Sequence, residues 1–388
     1  MERTSIWPLL FASIGVIALA AIILTAPDPR LVRTESPGIS EVVHAEVLDV
    51  LEQGTSESQQ PYSKLRVRAT SGSIDGTVLD VEERAVGPTN YLREFRPGDE
   101  VLITYTRNPN GTDLAFVAEY VRTPQLAWLA LIFAVTLGLV GGFQGLRSLL
   151  GMAISFVVIL RFIVPHILNG ANPVLISVVG ALFVLIVTLY LSHGFNAKTT
   201  AALAGTVVAL LLTGVLGQTF IAWTRLTGLA SEEVTFLSNQ TGVSLSFEGL
   251  LLGGLIIATL GVLDDVAVSQ SSVVFELRSA NPSLGAAELI RRAMRIGRDH
   301  IASTVNTLFL AYAGSSLPLL LLLSTQPEPL GVLLNRERIT VELVSALVGS
   351  LGLIAAVPLT TAAAAFAVTR GWAGTPPAHT ERHATHSH

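Results

Sequence analysis

The residues best suited to chemistry in this chain are Asp264 and Asp265, adjacent acids in the apolar stretch GVLDDVAVSQSSVVFEL (261–277). Neighbouring carboxyls repel when both are ionised, and removal from water opposes either charge. Such a pair can take up and release a proton where water reaches it from alternating sides. Asp265, Ser269, Ser272 and Glu276 recur at i, i+4, i+7 and i+11, one face of a helix, while Val266, Val268, Val273 and Val274 occupy other directions. Three chemistries fit these residue types. The pair can relay protons, or its hard oxygens can bind Mg²⁺ or Mn²⁺. The stripe can also hold helices together by hydrogen bonds worth about 0.6 kcal/mol each.

The next apolar stretch, GRDHIASTVNTLFLAYAGSSLPLLLLLS (297–324), offers partners. Asp299, Ser303, Asn306 and Leu310 share a face, with Thr307 and Gly314 beside it, and Arg298 and Asp299 mark a cytoplasmic entrance. Asn306 needs a hydrogen-bond partner inside a membrane; the Asp pair or a backbone carbonyl would each provide one. Gly314, Ser315, Ser316 and Pro318 interrupt the helix, as in broken helices that line a cavity or in a plain kink.

These assignments depend on a bilayer, and composition supplies it. Hydrophobic residues make up 50% of the 388 and charged residues only 14%, against about 25% charged in soluble domains. A hydrocarbon core asks for about 20 apolar residues per helix. Eight segments qualify, near 6–26, 126–143, 149–168, 173–193, 199–222, 248–277, 300–323 and 341–369. The number falls to seven if the second and third, separated by FQGLRS, form one re-entrant unit. The fold expected is therefore mainly α, a polytopic transmembrane bundle at 126–370. Asp264 and Asp265 then lie well inside the membrane, where a charge costs about 3 kcal/mol on insertion scales. Residues 1–26 read as an uncleaved anchor, since the apolar run exceeds the usual length of a signal-peptide core.

Orientation follows from the short loops. With the N-terminus inside, the cytoplasm receives Arg3, Arg147, Lys198, Arg278, Arg291, Arg292, Arg295, Arg298 and Arg370, and the short outer loops only Arg225, Arg336 and Arg338. Both termini are thus expected in the cytoplasm, with residues 27–125 outside. That insert carries five strand-like segments, EVVHAEVLDV, YSKLRVRA, GTVLDVEERAV, DEVLITYT and DLAFVAEYV, divided by turn-forming runs, with Asn110 and Gly111 suited to a tight hairpin. It reads as a small all-β, OB-like barrel. No basic and aromatic residues interleave there, which argues against nucleic acid.

Other features are quieter. Gly249, Gly253, Gly254, Ala258 and Gly261, and Gly138 with Gly142, read as small faces for close helix packing. SLGAAELIRRAMRI (283–296) reads as a short amphipathic helix on the cytoplasmic leaflet. Arg161 and His166 are expected to snorkel to the interface, where Glu248 and Glu342 also sit. The tail 371–388, with His379, His383, His386 and His388, reads as disordered and cytoplasmic. Cysteine is absent, which removes disulfides and thiolate metal sites.

The stretches GVLDDVAVSQSSVVFEL, GRDHIASTVNTLFLAYAGSSLPLLLL and IAAVPLTT (354–361) resemble the YibE/F family of bacterial membrane proteins over about residues 120–370. The resemblance implies a membrane protein with a transport role. More remotely, GVLDDVAV followed by a polar helix and an arginine-bearing loop is similar to the proton-relay region of RND permeases and SecD/SecF subunits. That similarity implies that Asp264 and Asp265 bind protons, and that the chain is a half unit completed by a homodimer. The function expected is a proton-coupled secondary transporter or exporter of a small solute or ion, without a cofactor. Asp264 and Asp265 form the relay, and Ser269, Ser272, Glu276, Asn306 and Thr307 surround its path. The alternatives are a divalent-cation transporter using the same acids and a non-transporting scaffold or sensor that reports on the β domain. An intramembrane aspartyl protease would need acids from two helices, one after Gly-x-Gly; GVLD lacks the second glycine, so the chain is not read as an enzyme.

Overall fold

The computed structural model describes residues 39–55, 61–84, 92–107, 113–241, 245–325 and 328–371. The anchor at 6–26, the hairpin at Asn110–Gly111 and the histidine tail lie outside these residues. The chain divides into two compact units, Arg30–Leu137 and one that includes Gly138–His388.

Five antiparallel strands form the described core of the first: β1 (Ile39–Thr55), β2 (Pro61–Ala69), β3 (Val78–Arg84), β4 (Glu100–Arg107) and β5 (Leu114–Tyr120). Strict alternation drives them. Val43, Ala45 and Val47 of β1 and Leu65, Val67 and Ala69 of β2 are buried, while Lys64, Arg66 and Arg68 between them point to solvent. The 17-residue β1 serves two neighbours, pairing with β4 through Ile39–Glu46 and with β2 from Ala45 to Thr55. Two register shifts near Val47–Glu52 bend its second half.

The strand order β3-β2-β1-β4-β5 is that of the expected OB-like barrel. No ladder joins β3 to β5, which lie against each other. A side chain closes the seam. Arg93 grips Glu83 of β3 through Nε (2.5 Å) and Nη2 (3.0 Å) and donates to the carbonyls of Ala118 (3.0 Å) and Val117 (3.3 Å) of β5. Glu83 is only 3% exposed, so the pair is buried and bidentate.

The rest of the chain is helical: α1 (Thr123–Leu168), α2 (Pro173–His193), α3 (Ala197–Trp223), α4 (Glu232–Thr241), α5 (Phe247–Ala280), α6 (Ala286–Ser315), α7 (Leu317–Ser324), α8 (Leu330–Leu333) and α9 (Glu337–Thr369). Five of these are long and apolar enough to cross a membrane, and α6 with α7, bent by 62°, makes a sixth if counted as one span. Polar caps start them: Asn172 accepts from the amides of Val174 and Leu175, Asn196 from Thr199, and Ser246 from Gly249.

Three expectations need correcting. FQGLRS does not separate two helices; it is helical, and the break in α1 falls one residue earlier at Gly142, whose φ of 56° and ψ of −140° suit glycine alone. Gly142 is therefore a breaker and not part of a packing face. The amphipathic segment 283–296 is also not a separate surface helix. Its residues from Ala286 run unbroken into the apolar turns of α6, because nothing between Ala286 and Ala313 is a glycine or proline except Gly297, which is buried against Val357.

The core of the helical unit is α3 against α5 and α9. Leu210, Ile256, Leu263 and Leu353 are essentially inaccessible there. Helices α3 and α9 approach at reciprocal glycine–threonine contacts, Gly205 on Thr360 and Thr213 on Gly352. Close approach of this kind is how helices pack without a hydrophobic drive.

Candidate functional site

Helix α5 carries the acids in mid-course, 17 residues after Phe247 and 15 before Ala280. One side of it is fully packed. Gln270, with its side chain buried, donates to the Ala293 carbonyl of α6 (3.1 Å) and to Thr361 Oγ1 of α9 (2.7 Å), and Ser271 donates to the Lys198 carbonyl of α3 (2.8 Å). Gly253, at the earlier end, packs on Ser177 of α2. The opposite side is a stripe of small and polar residues, Gly254, Ala258, Gly261, Asp265, Ser269, Ser272 and Glu276, spaced by three or four. All are exposed except half-buried Ser272, and a Cβ added at Gly254 or Gly261 would meet nothing within 4 Å. The small-residue face expected here thus divides: Gly249 and Gly253 pack, whereas Gly254 and Gly261 are open.

Two cavities lie along that stripe. At the start of α5, about 500 Å³ is lined by Gly254 and Ala258 together with Tyr312 of α6 and Arg338 and Glu342 of α9. Toward its end, about 430 Å³ is lined by Ser272, Glu276 and Ile296 of α6. Asp265 falls between them on the same stripe. Asp264, one residue round the helix, is half-buried, and its Oδ1 is enclosed with no hydrogen-bond partner among the described residues. A buried polar oxygen left unpaired costs about 1–3 kcal/mol. The two acids therefore have different surroundings, one turned inward and one opening on the stripe.

The predicted partners are placed as follows. Asp299, Ser303, Asn306 and Thr307 are exposed on α6, as is Arg298. Because α6 runs antiparallel to α5, with Ile296 beside Ser272 and Tyr312 beside Gly254 and Ala258, Ser303 to Thr307 stand at about the height of Asp265. No hydrogen bond joins Asn306 to either aspartate among the described residues. Thr307 donates to the Ser303 carbonyl (3.0 Å) and Ser272 to that of Val268 (2.8 Å), so both hydroxyls are satisfied within their own helices. No group of three or more His, Asp or Glu that could hold a metal ion occurs among the described residues.

Residues 129–370 match the YibE/F-like protein family, a stretch that holds every helix from α2 to α9 and the whole stripe. The chain belongs to that family. No curated protein and no solved structure matches it.

In this YibE/F-like protein, several polar residues of the site escaped the reading of the sequence. His193, at the end of α2, lies within reach of the charges of Lys198 and Asp265, and its Nδ1 stands 3.4 Å from Gln144 Nε2. Gln270 lay on the wrong side of the helical wheel to join the stripe, yet a lone amide flanked by serines in an apolar helix was the available signal. His300, whose Nε2 is buried without a partner among the described residues, directly follows Asp299. Arg338, which read as an outer-loop residue, and Glu342, which read as interfacial, share a cavity with Tyr312.

Proposed function

We propose that this YibE/F-like membrane protein is a proton-coupled secondary transporter of a small solute or ion, in which Asp264 and Asp265 bind the coupling proton. The observation that carries the reading is the acidic pair at mid-helix, one oxygen enclosed and unpartnered, on a stripe that ends in a cavity toward either end. Placing acids there is expensive, and packing does not call for it. The buried side of α5 is already held by Gln270 and Ser271. In this proposal the protein lies in the bacterial cytoplasmic membrane with both termini inside. With α1 crossing twice about its break at Gly142, the Gly254 cavity faces outward and the Glu276 cavity inward. Ser269, Ser272 and Glu276 carry the path to the cytoplasm, Asn306 and Thr307 flank it from α6, and Arg298 and Asp299 stand at its mouth. For the divalent-cation alternative, the acids are not joined by a third His, Asp or Glu in a group that could hold a metal ion among the described residues.

The test is proton uptake into proteoliposomes, followed with a pH dye while candidate ions are varied. Asp264→Asn and Asp265→Asn keep size and hydrogen-bonding capacity but remove the exchangeable charge, so flux should stop while the protein still inserts. Asp→Glu should retain part of the flux with a shifted pH optimum. Normal flux in the double Asn variant would eliminate the relay. Unchanged folding together with absence of flux in the parent protein would favour the sensor alternative.

A further inference from the structure

We infer that the cavity at the start of α5 is a binding site for a zwitterion, a molecule with an ammonium and a carboxylate on an apolar body, of the size of an amino acid or a short peptide. The inference deepens the transporter reading and rests on it for the name substrate. At about 500 Å³ the cavity falls in the range of small-molecule sites. Its floor is apolar, supplied by Phe247, Leu250, Leu251, Leu255 and Val341. Such sites take their orientation from a few placed polar groups, and here these are Arg338 and Glu342.

Neighbouring charges are already engaged, and this separates the two from the rest. Arg336 pairs with Glu328. The Glu337 carboxylate accepts from the amides of Thr227 (2.7 Å) and Gly228 (2.9 Å) and from the Thr227 hydroxyl (2.9 Å). Glu233, also at the cavity, is hydrogen-bonded to Ser231 and its own backbone and feels the charge of Arg338, though it makes no ion pair with it. Arg338 and Glu342 stand four residues apart on α9, so both project from one face. Yet no ion pair within 4.0 Å joins them to each other or to another described residue. A planar guanidinium suits a carboxylate, and a lone carboxylate with the Tyr312 hydroxyl nearby suits an ammonium. Arg338 is exposed at the cavity and Glu342 half-buried, and a ligand bearing only one charge would leave the other group without a partner. Gly254 and Ala258, which also line the cavity, begin the stripe that leads to Asp265.

The experiment is equilibrium binding to the detergent-purified full chain, by titration calorimetry and ligand-dependent melting. The probes are L-leucine and L-leucyl-L-leucine, each compared with its N-acetyl and C-amide derivatives. At least one zwitterion should bind saturably, and loss of either charge should weaken it by about tenfold or more. Arg338→Gln should abolish discrimination against the amide alone, and Glu342→Gln discrimination against the N-acetyl form alone. Capped probes that bind as well as the zwitterion, no saturable binding of either zwitterion, or discrimination that survives in both variants would each overturn the inference. The wild-type comparison decides the matter even if a variant folds poorly. The relay is read by proton flux in proteoliposomes and this site by discrimination among the probes at equilibrium, so failure of the relay and failure of this site register in different assays.

Discussion

A single methyl group at Gly205 tests how α3 and α9 are held together. Its Cβ would lie 2.6 Å from the Cα of Thr360 and on top of the Thr360 hydroxyl, whereas ordinary contact begins near 3.4 Å. About 0.8 Å must therefore open between the two helices at their closest point, and no side-chain rotation supplies it, because the obstacle is backbone. Overpacking typically costs about 1–3 kcal/mol; Gly205→Ala belongs at the upper end of that range. Gly352→Ala is the informative contrast. The three atoms nearest the added one all belong to the Thr213 side chain: its hydroxyl, Cβ (3.2 Å) and Cγ2 (3.4 Å). Thr213→Ala removes two of these three atoms and should restore most of the loss in Gly352→Ala. Thr360→Ala should leave Gly205→Ala nearly as unstable as before. The assay is the apparent melting temperature of the full chain in detergent, measured for the four single variants and the two doubles. A Gly205→Ala protein that melts with the parent, or equal rescue by both threonine truncations, would refute the reasoning.

Breaking the barrel seam with Arg93→Ala strands the buried Glu83 carboxylate and should destabilise the β domain by about 3–5 kcal/mol, read as faster cleavage of the full chain in limited proteolysis; unchanged cleavage would mean that the seam holds without the clamp. Gln270→Leu removes two interhelical hydrogen bonds and should cost about 1 kcal/mol at the membrane average of about 0.6 each, measured by the same melting assay. Orientation is open to cysteine labelling in a chain that has none: a cysteine at Ser56 should react with an impermeant reagent on intact cells and one at Ala280 should not, and reaction at Ala280 would overturn the proposed topology. Hydrogen bonding from Arg66 holds the Asp80 carboxyl below its usual range. The contribution of that pair is complete above the ordinary carboxylate range and is lost as pH falls through the lowered value, so Asp80→Asn should remove a small part of the acid sensitivity of the β domain and leave its stability at neutral pH slightly reduced.

The strands were legible because each buries one face: Leu65, Val67 and Ala69 alternate with Lys64, Arg66 and Arg68, and that period is written directly in the residues. Spans were legible from apolar length. Boundaries were not, for a physical reason. A change from arginine-rich to apolar composition suggested a helix ending before His300, but helices stop at caps and breakers, and α6 has none there. Gly142 ended a helix by its φ, which composition does not encode. The acidic pair announced itself by its cost. Its division into an inward Asp264 and an outward Asp265 depended on which arc of α5 the neighbours cover, and that is set by contacts with residues such as Ser177 and Thr361, far away in sequence. The Arg93 clamp was unreadable for the same reason: a loop residue gains its role only when β3 and β5 meet.

The Glu337 staple has a consequence for how the protein is made. The amides of Thr227 and Gly228, at the turn after α3, find their acceptor about 110 residues later in the chain. The glycine and threonine faces of α3 likewise find theirs on α9. Helices emerge from the ribosome in order, so α3 enters the bilayer long before the surface it fits has been synthesised. Until α9 arrives, its notch at Gly205 and its Thr213 side chain face lipid or another helix. Final assembly of the helical unit is then a late, non-local event, and a chain ended before Glu337 carries a central helix without its mate, a substrate for membrane quality-control proteases.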